Sequence, residues 1–169
     1  RLKQYKKARA DFDRVLAIDP KKTDDWLQKG VTLEELGQHD EAQAAYSQAL
    51  TLEPQKIEVW IQKGFALLNY GQPKETREAL ENFNHALTLN PKNTDAWLQK
   101  GIAFNKLNQH TEALTAFEQV LIIDPKKIDP WIQKGWTYGQ LGWHRKALAA
   151  FNKALSIDPE SSDAWAQKG

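Results

Sequence analysis

The chain of 169 residues contains no cysteine and no methionine. Without cysteine there is neither a disulfide framework nor a thiolate metal site. Without methionine, an initiator included, the expectation is a fragment or a processed piece, so the lack of a targeting signal carries no information. An excess of charge of one sign is missing too: 23 Lys and Arg stand against 22 Asp and Glu, a formal +1. A nucleic-acid surface or a polybasic membrane patch needs a clear basic surplus, so neither partner is expected. No apolar run approaches the roughly 20 residues of a membrane-spanning helix, and no membrane insertion is expected. A Gly-rich phosphate loop, a Ser, His, Asp arrangement and paired acids on one face are all absent. The chain is therefore read as no enzyme in itself and as carrying no cofactor.

What is present is repetition. WLQKG at Trp26 returns as WIQKG at Trp60, WLQKG at Trp97, WIQKG at Trp131 and WAQKG at Trp165. The intervals are 34, 37, 34 and 34 residues, the kind of fixed period that marks a solenoid of stacked units. Between the tryptophans a second set recurs. It reads Ala42, Tyr46, Ala49 and Leu50, then Ala79, Phe83, Ala86 and Leu87. It continues as Ala113, Phe117, Val120 and Leu121, then Ala147, Phe151, Ala154 and Leu155. Each set closes on a proline: Pro54, Pro91, Pro125 or Pro159.

Two helices fit each period. The first is expected to start near Thr23, Thr94 or Ser162 as N-cap, with acids in its first turn and Pro130 tolerated there. It is expected to end at Gly37, Gly71, Asn108 or Gly142, residues suited to the left-handed conformation. The second carries one apolar stripe at helical spacing and stops before the proline. In the second unit three extra residues, about one helical turn, predict a longer second helix over 73–89 that opens on Pro73.

On a wheel of about 100° per residue, Trp, the glycine four residues on, and Leu33, Leu67, Phe104 or Tyr138 share one face. The tryptophan is expected to be sealed at the centre of that face, and the glycine to let the paired helix approach closely. His39, His110 and His144 recur at one place in three units. They stand one or two units apart, at least some 10 Å, whereas zinc ligands converge at about 2 Å. They are read as turn or capping residues, with no metal site.

These residues resemble the tetratricopeptide repeat, whose signature of Trp, Leu-Gly, Tyr, Ala, Phe, Ala and Pro runs through the whole chain. The resemblance implies an all-α, right-handed superhelical solenoid of antiparallel helix pairs. Residues 1–20 read as the second helix of a partial repeat, with Ala8, Phe12, Val15, Leu16 and Pro20. Repeats follow at 23–56, 57–93 with the insertion, 94–127 and 128–161, and 162–169 begin another. One departure from the signature is constant: Lys29, Lys63, Lys100, Lys134 and Lys168 stand where leucine precedes the glycine. Their stems are expected to be buried while the ammonium snorkels toward an acid or a helix end.

In this family the side of the first helix away from tryptophan lines a concave surface. Here it carries an apolar stripe of Leu27, Val31, Ile61, Phe65, Leu98, Ile102, Ile132 and Trp136. Gln28, Gln62, Gln99, Gln133 and Gln167 run beside it. Asp24, Glu58, Asp95, Asp129 and Asp163 form an acidic rim. Two readings of the stripe are open: contact between neighbouring first helices, or a binding groove for a protein or peptide. A primary amide offers a donor and an acceptor together, so a glutamine ladder suits a peptide main chain. The acids suit basic groups on a ligand; as helix N-terminal carboxylates they also need no ligand at all. The carboxylate clamp of some family members has no cation here, since its places hold Leu27, Val31, Gln62, Asp95 and Gln99. No binding of C-terminal acidic tails is expected. The expected role is an interaction scaffold that holds a protein or peptide segment. The alternatives are a structural spacer, head-to-tail self-association through uncapped ends, or a regulatory arm of a larger enzyme. Trp143 replaces a turn glutamine and is read as packing over the turn or as a contact point.

Overall fold

The computed structural model describes residues 2–168. Ten helices and no strand are present among them. They are α1 (Leu2–Ile18), α2 (Thr23–Glu35), α3 (His39–Leu52), α4 (Ile57–Tyr70), α5 (Pro73–Leu89), α6 (Thr94–Lys106), α7 (His110–Ile123), α8 (Asp129–Gln140), α9 (His144–Ile157) and α10 (Ser162–Lys168).

Local chemistry sets the ends. Gly37, Gly71 and Gly142 have φ of 71°, 75° and 73°, and Asn108 has φ 59°. These left-handed residues terminate the first helix of each pair, as their types require. The second helices stop two residues before their prolines. The insertion lengthens α5 to 17 residues, opening on Pro73, against 14 in α3, α7 and α9. The N-caps differ from the expectation by one place. Lys22 and Asn93 hold the cap positions, and the Asn93 side chain accepts from the Ala96 N–H at 2.8 Å. Thr23 and Thr94 are already inside their helices, and the Ser161 hydroxyl, not that of Ser162, accepts from Ala164 N–H at 3.4 Å.

Within each pair, glycine and aromatic ring interlock. A Cβ built on Gly30 would lie 2.5 Å from the Tyr46 ring, on Gly64 2.7 Å from Phe83, on Gly101 2.3 Å from Phe117, and on Gly135 2.4 Å from Phe151. Only a residue without a side chain fits against such a ring. Tyr46, Phe83 and Phe117 are fully buried there. Burial, then the Glu34 charge, holds the Tyr46 phenol above its ordinary pKa.

The pairs stack in chain order. Each second helix packs on the first helix of the next pair, and first helices also touch one another: α2 with α4, α4 with α6, α6 with α8, α8 with α10. Consecutive second helices have no such contact among the described residues. The first helices therefore lie on the inner side of the curve and the second helices are splayed on its outer side.

The tryptophans do not sit at the centre of the packed face, as the wheel had placed them. Trp26, Trp60, Trp97 and Trp131 are only half-buried, and Trp165 is exposed. The indole N–H has a hydrogen-bond demand that an apolar centre cannot meet. It donates instead to the proline carbonyl six residues earlier, at 2.8–2.9 Å, in Trp26, Trp60, Trp97 and Trp165. The Trp131 N–H is buried without a partner.

In four of the five phrases the lysine before the glycine lies over its tryptophan, 4.8–5.3 Å from the ring centroid at Lys29, Lys100, Lys134 and Lys168. It also reaches the preceding second helix. Lys29 meets Asp13 at 2.6 Å, Lys63 the Ser47 hydroxyl at 3.1 Å, and Lys134 Glu118 at 3.0 Å. The matching residue for Lys100 is Asn84, and burial without an acid pushes the Lys100 ammonium below its ordinary pKa.

Candidate functional site

The inner face is built from α2, α4, α6, α8 and α10, and the structure sorts the expected groove residues into two sets. Leu27 and Leu98 are 1 % and 8 % exposed. Leu27 lies in the cluster of Tyr46, Leu50 and Val59, and Leu98 in that of Ala113, Phe117 and Val120. They are core residues with no surface to offer a ligand, which corrects their assignment to the groove. Ile61 and Ile132 are half-buried. Ile61 packs against Leu87 and Ala96, and Ile132 against Leu155 and Ala164. The second helix of the pair closes over the position after tryptophan in all four, joined by the next first helix at Leu27, Ile61 and Ile132, and a wheel of one isolated helix includes neither.

Four residues on, the side chains reach the inner face. Val31 and Ile102 are half-buried, and Phe65 and Trp136 are 42 % and 37 % exposed. Gln28 and Gln167 are exposed, while Gln62, Gln99 and Gln133 are half-buried. The backbone carbonyls of Gln28 and Gln133 accept the Thr32 and Thr137 hydroxyls. No protein hydrogen bond among the described residues takes up the side-chain amides of Gln28, Gln62, Gln99 or Gln133.

Two clefts open beside the aromatic rings. One, of about 200 Å³, lies between Val31, Glu34, His39, Gln62, Phe65 and Asn69. The other, of about 350 Å³, lies between Ile102, Asn105, Lys106, Ile132, Gln133, Trp136 and Gln167. A polar bridge across consecutive repeats borders each. In the first, the Tyr70 hydroxyl donates to Glu34 at 2.6 Å, Gln43 donates to Tyr70 at 3.2 Å, and the His39 ring meets Glu34 at 2.9 Å. Burial and the Glu34 hydrogen bond together push the Tyr70 phenol well above its ordinary pKa. In the second, buried Asn105 donates to the Thr137 hydroxyl at 2.8 Å, and the His110 ring meets the Asn105 carbonyl at 3.1 Å. His39 and His110 thus tie the start of a second helix to the end of its first. Among the described residues no group of three or more His, Cys, Asp or Glu is gathered for a metal.

The acidic rim is divided. Lys56 bonds Asp24, and Lys127 bonds Asp95 at 2.6 Å, each lysine coming from the loop before the next first helix. The Asp24 bond holds the Lys56 ammonium above its ordinary pKa. At the matching places after Glu58 and Asp129 stand Asn93 and Ser161, which carry no charge. Among the described residues Glu58, Asp129 and Asp163 have no ion pair, and the first two share α4 and α8 with the exposed Phe65 and Trp136. Glu58, Gln62 and Phe65 stand on α4, and Asp129, Gln133 and Trp136 on α8.

Sequence reasoning missed the polar bridges and this alternation. The signal was present: Asp24 and Asp95, Val31 and Ile102, His39 and His110, Lys56 and Lys127, and Phe65 and Trp136 are each 71 residues apart. The phrase after tryptophan alternates too, Leu27, Ile61, Leu98, Ile132.

The TPR domain profile of cytochrome c-type biogenesis protein H matches residues 13–127, and the tetratricopeptide repeat profile matches residues 128–161. No curated protein matches the chain by sequence. Among solved structures, the crystal structure of MamA superposes with a TM-score of 0.82 at 23 % identity, over 94 % of this chain and 91 % of that one. YrrB, described as a TPR protein with an unusual peptide-binding site, superposes at 0.78 with 26 % identity, over 98 % and 84 %. PilW, described as a widely conserved type IV pilus biogenesis factor, superposes at 0.81 with 26 % identity, over 92 % and 70 %. With more than half its length matched, and with its paired helices stacked as a solenoid, the chain belongs to the tetratricopeptide repeat family, whose arrays serve as scaffolds for protein–protein interaction.

Proposed function

We propose that the inner face holds an extended segment of a partner protein, anchored at the two clefts. The observation that carries this reading is the repeated set of exposed aromatic, unengaged amide and unpaired carboxylate: Phe65, Gln62 and Glu58 on α4, and Trp136, Gln133 and Asp129 on α8. Aromatic side chains standing at a groove are typical interface anchors. Glutamine amides supply donors and acceptors to a main chain. The open carboxylates favour basic residues beside the anchored ones. The description of YrrB as having a peptide-binding site agrees with such a role.

Geometry limits the ligand. Two steps between first helices, each about 8–10 Å, separate the clefts by roughly 16–20 Å. An extended chain advances about 3.3 Å per residue. The anchored apolar residues of the ligand therefore stand about five or six positions apart.

The test is a peptide array that varies this spacing and the flanking charge, read by fluorescence polarisation. Phe65→Ala and Trp136→Ala are each expected to cost about 2 kcal/mol or more, roughly thirtyfold in Kd. Replacing Gln62 and Gln99 by Ala is expected to weaken binding irrespective of peptide sequence. If neither aromatic substitution changes any binding while the helical signal is intact, the groove reading fails.

A further inference from the structure

A third cleft, of different chemistry, lies on the outer side of the array, between α8 and α9. It encloses about 330 Å³ and is lined by Trp131, Lys134, Tyr138, Lys146, Ala150 and Lys153. On the wheel of α8, Lys134 and Tyr138 fall opposite Gln133 and Trp136, so this cleft and the inner groove do not share a surface. Its floor is apolar: the Trp131 and Tyr138 rings and the small side chain of Ala150. Its rim is cationic. Lys134 is held by Glu118 at 3.0 Å. Lys146 stands 4.3 Å from the Trp143 ring centroid and 5.8 Å from that of Tyr138. No carboxylate among the described residues pairs with Lys146 or Lys153.

The repeats themselves supply the comparison. In the α6–α7 pair the same places hold Phe104, Glu112, Thr115 and Gln119, where α8–α9 has Tyr138, Lys146, Ala149 and Lys153. Glu41 and Glu78 match Lys146 in the two earlier pairs. The N-cap is Gln38, Gln72 or Gln109 in those pairs and Trp143 here. First-turn carboxylates complement the helix dipole in α3, α5 and α7, whereas α9 has none and carries Arg145 and Lys146 instead. Cations at a helix N-terminus work against stability. The return visible within the chain is the contact of Lys146 with the Trp143 ring, and functional sites are where departures from local rules are expected.

We propose that this outer cleft binds an acidic segment of a partner protein, seating one apolar side chain on the Trp131 and Tyr138 rings and its neighbouring carboxylates on Lys146 and Lys153. Charge complementarity selects the occupant: two unpaired ammonium groups face a floor with no acid of its own. On the inner face the carboxylates Glu58 and Asp129 disfavour this segment, against the single cation, Lys106, that lines the cleft beside Trp136. The array then receives two kinds of segment on two faces, basic on the inside and acidic on the outside.

The probe is a fluorescein-labelled peptide with one phenylalanine between runs of glutamate, compared with its lysine counterpart by polarisation. The whole chain is used. Lys146→Glu, Lys153→Gln and Trp143→Gln each install the residue that the α6–α7 pair already carries, so the fold is expected to persist, as circular dichroism and thermal unfolding will verify. The acidic peptide is expected to bind and the lysine peptide not. Added salt weakens the complex, and Lys146→Glu loosens it about tenfold by reversing one contacting charge. Phe65→Ala with Trp136→Ala leaves it unchanged. The proposal is overturned if the two peptides bind alike, if the Lys146→Glu and Lys153→Gln double variant keeps full affinity, or if only the inner-face substitutions abolish binding.

Discussion

Gly101 is the position at which the packing of a helix pair can be tested most sharply. A methyl group there would lie 2.3 Å from Cε1 of Phe117, 2.7 Å from Cδ1 and 2.8 Å from Cζ. Carbon atoms in contact keep about 3.5–4.0 Å, so the ring must retreat by about 1.2 Å or more. It has nowhere to go, being 0 % exposed among Leu98, Ala113 and Val120. Overpacking of this kind costs about 1–3 kcal/mol. Against it stands the gain of about 1 kcal/mol from replacing glycine by alanine inside a helix. Gly101→Ala is therefore expected to destabilise by up to about 2 kcal/mol net. In a Phe117→Ala background, itself costing about 3–5 kcal/mol, the obstacle is gone and the same substitution is expected to stabilise. Gly139→Ala on α8 is the control: its Cβ meets nothing within 4 Å, so only the gain of up to about 1 kcal/mol is left. Urea unfolding followed by circular dichroism, with the midpoint compared at constant slope, reads all three. Equal effects of Gly101→Ala with and without the Phe117 ring, or a stabilisation matching Gly139→Ala, would refute the interlock.

Two further expectations concern the tryptophan and lysine of the repeated phrase. Burial depresses the folded pKa of Lys100 while the unfolded chain keeps the ordinary 10.5. Between those values the unfolded state binds more protons, so stability rises with pH in that alkaline window. Asn84→Glu, which supplies the acid that Glu118 gives Lys134, is expected to raise the folded pKa and flatten that rise; an unaltered slope of stability against pH counts against it. Trp97→Phe removes an N–H that bonds Pro91 at 2.9 Å, whereas Trp131→Phe removes one that is buried and unpartnered. The first is expected to cost about 1 kcal/mol more than the second, and equal losses in thermal unfolding would exclude the bond as a contributor.

The sequence showed most clearly what short-range chemistry decides. Gly37, Gly71, Asn108 and Gly142 end helices because of their own backbone preferences, and Pro73 opens α5 for the same kind of reason. The close approach at the glycine was legible because it recurs four residues after each tryptophan, but the ring that fills the space was not, since it lies on the other helix of the pair. The burial of Leu27 and Leu98 was not, because it depends on the helices that close over them, α3 and α4 for Leu27 and α7 for Leu98. Nor was the half-exposed tryptophan, since its partner carbonyl lies in the preceding turn, outside the helix used for the wheel. In the candidate groove, Phe65 and Trp136 stood out by size. The bridges Glu34–Tyr70 and Asn105–Thr137 join one repeat to the next, and reading the motif one repeat at a time conceals them.

The ion pairs Asp24–Lys56 and Asp95–Lys127 recur only at every second helix pair, as do the inner-face aromatics Phe65 and Trp136. Such an arrangement constrains how the array can grow. Duplicating or deleting a single pair would put two aliphatic edges, or two aromatic ones, side by side and leave a lysine facing the wrong neighbour. Exchange in blocks of two pairs leaves every junction matched. By that rule an ancestor or an engineered descendant changes its length in double units, each adding one more aromatic foothold for whatever it carries.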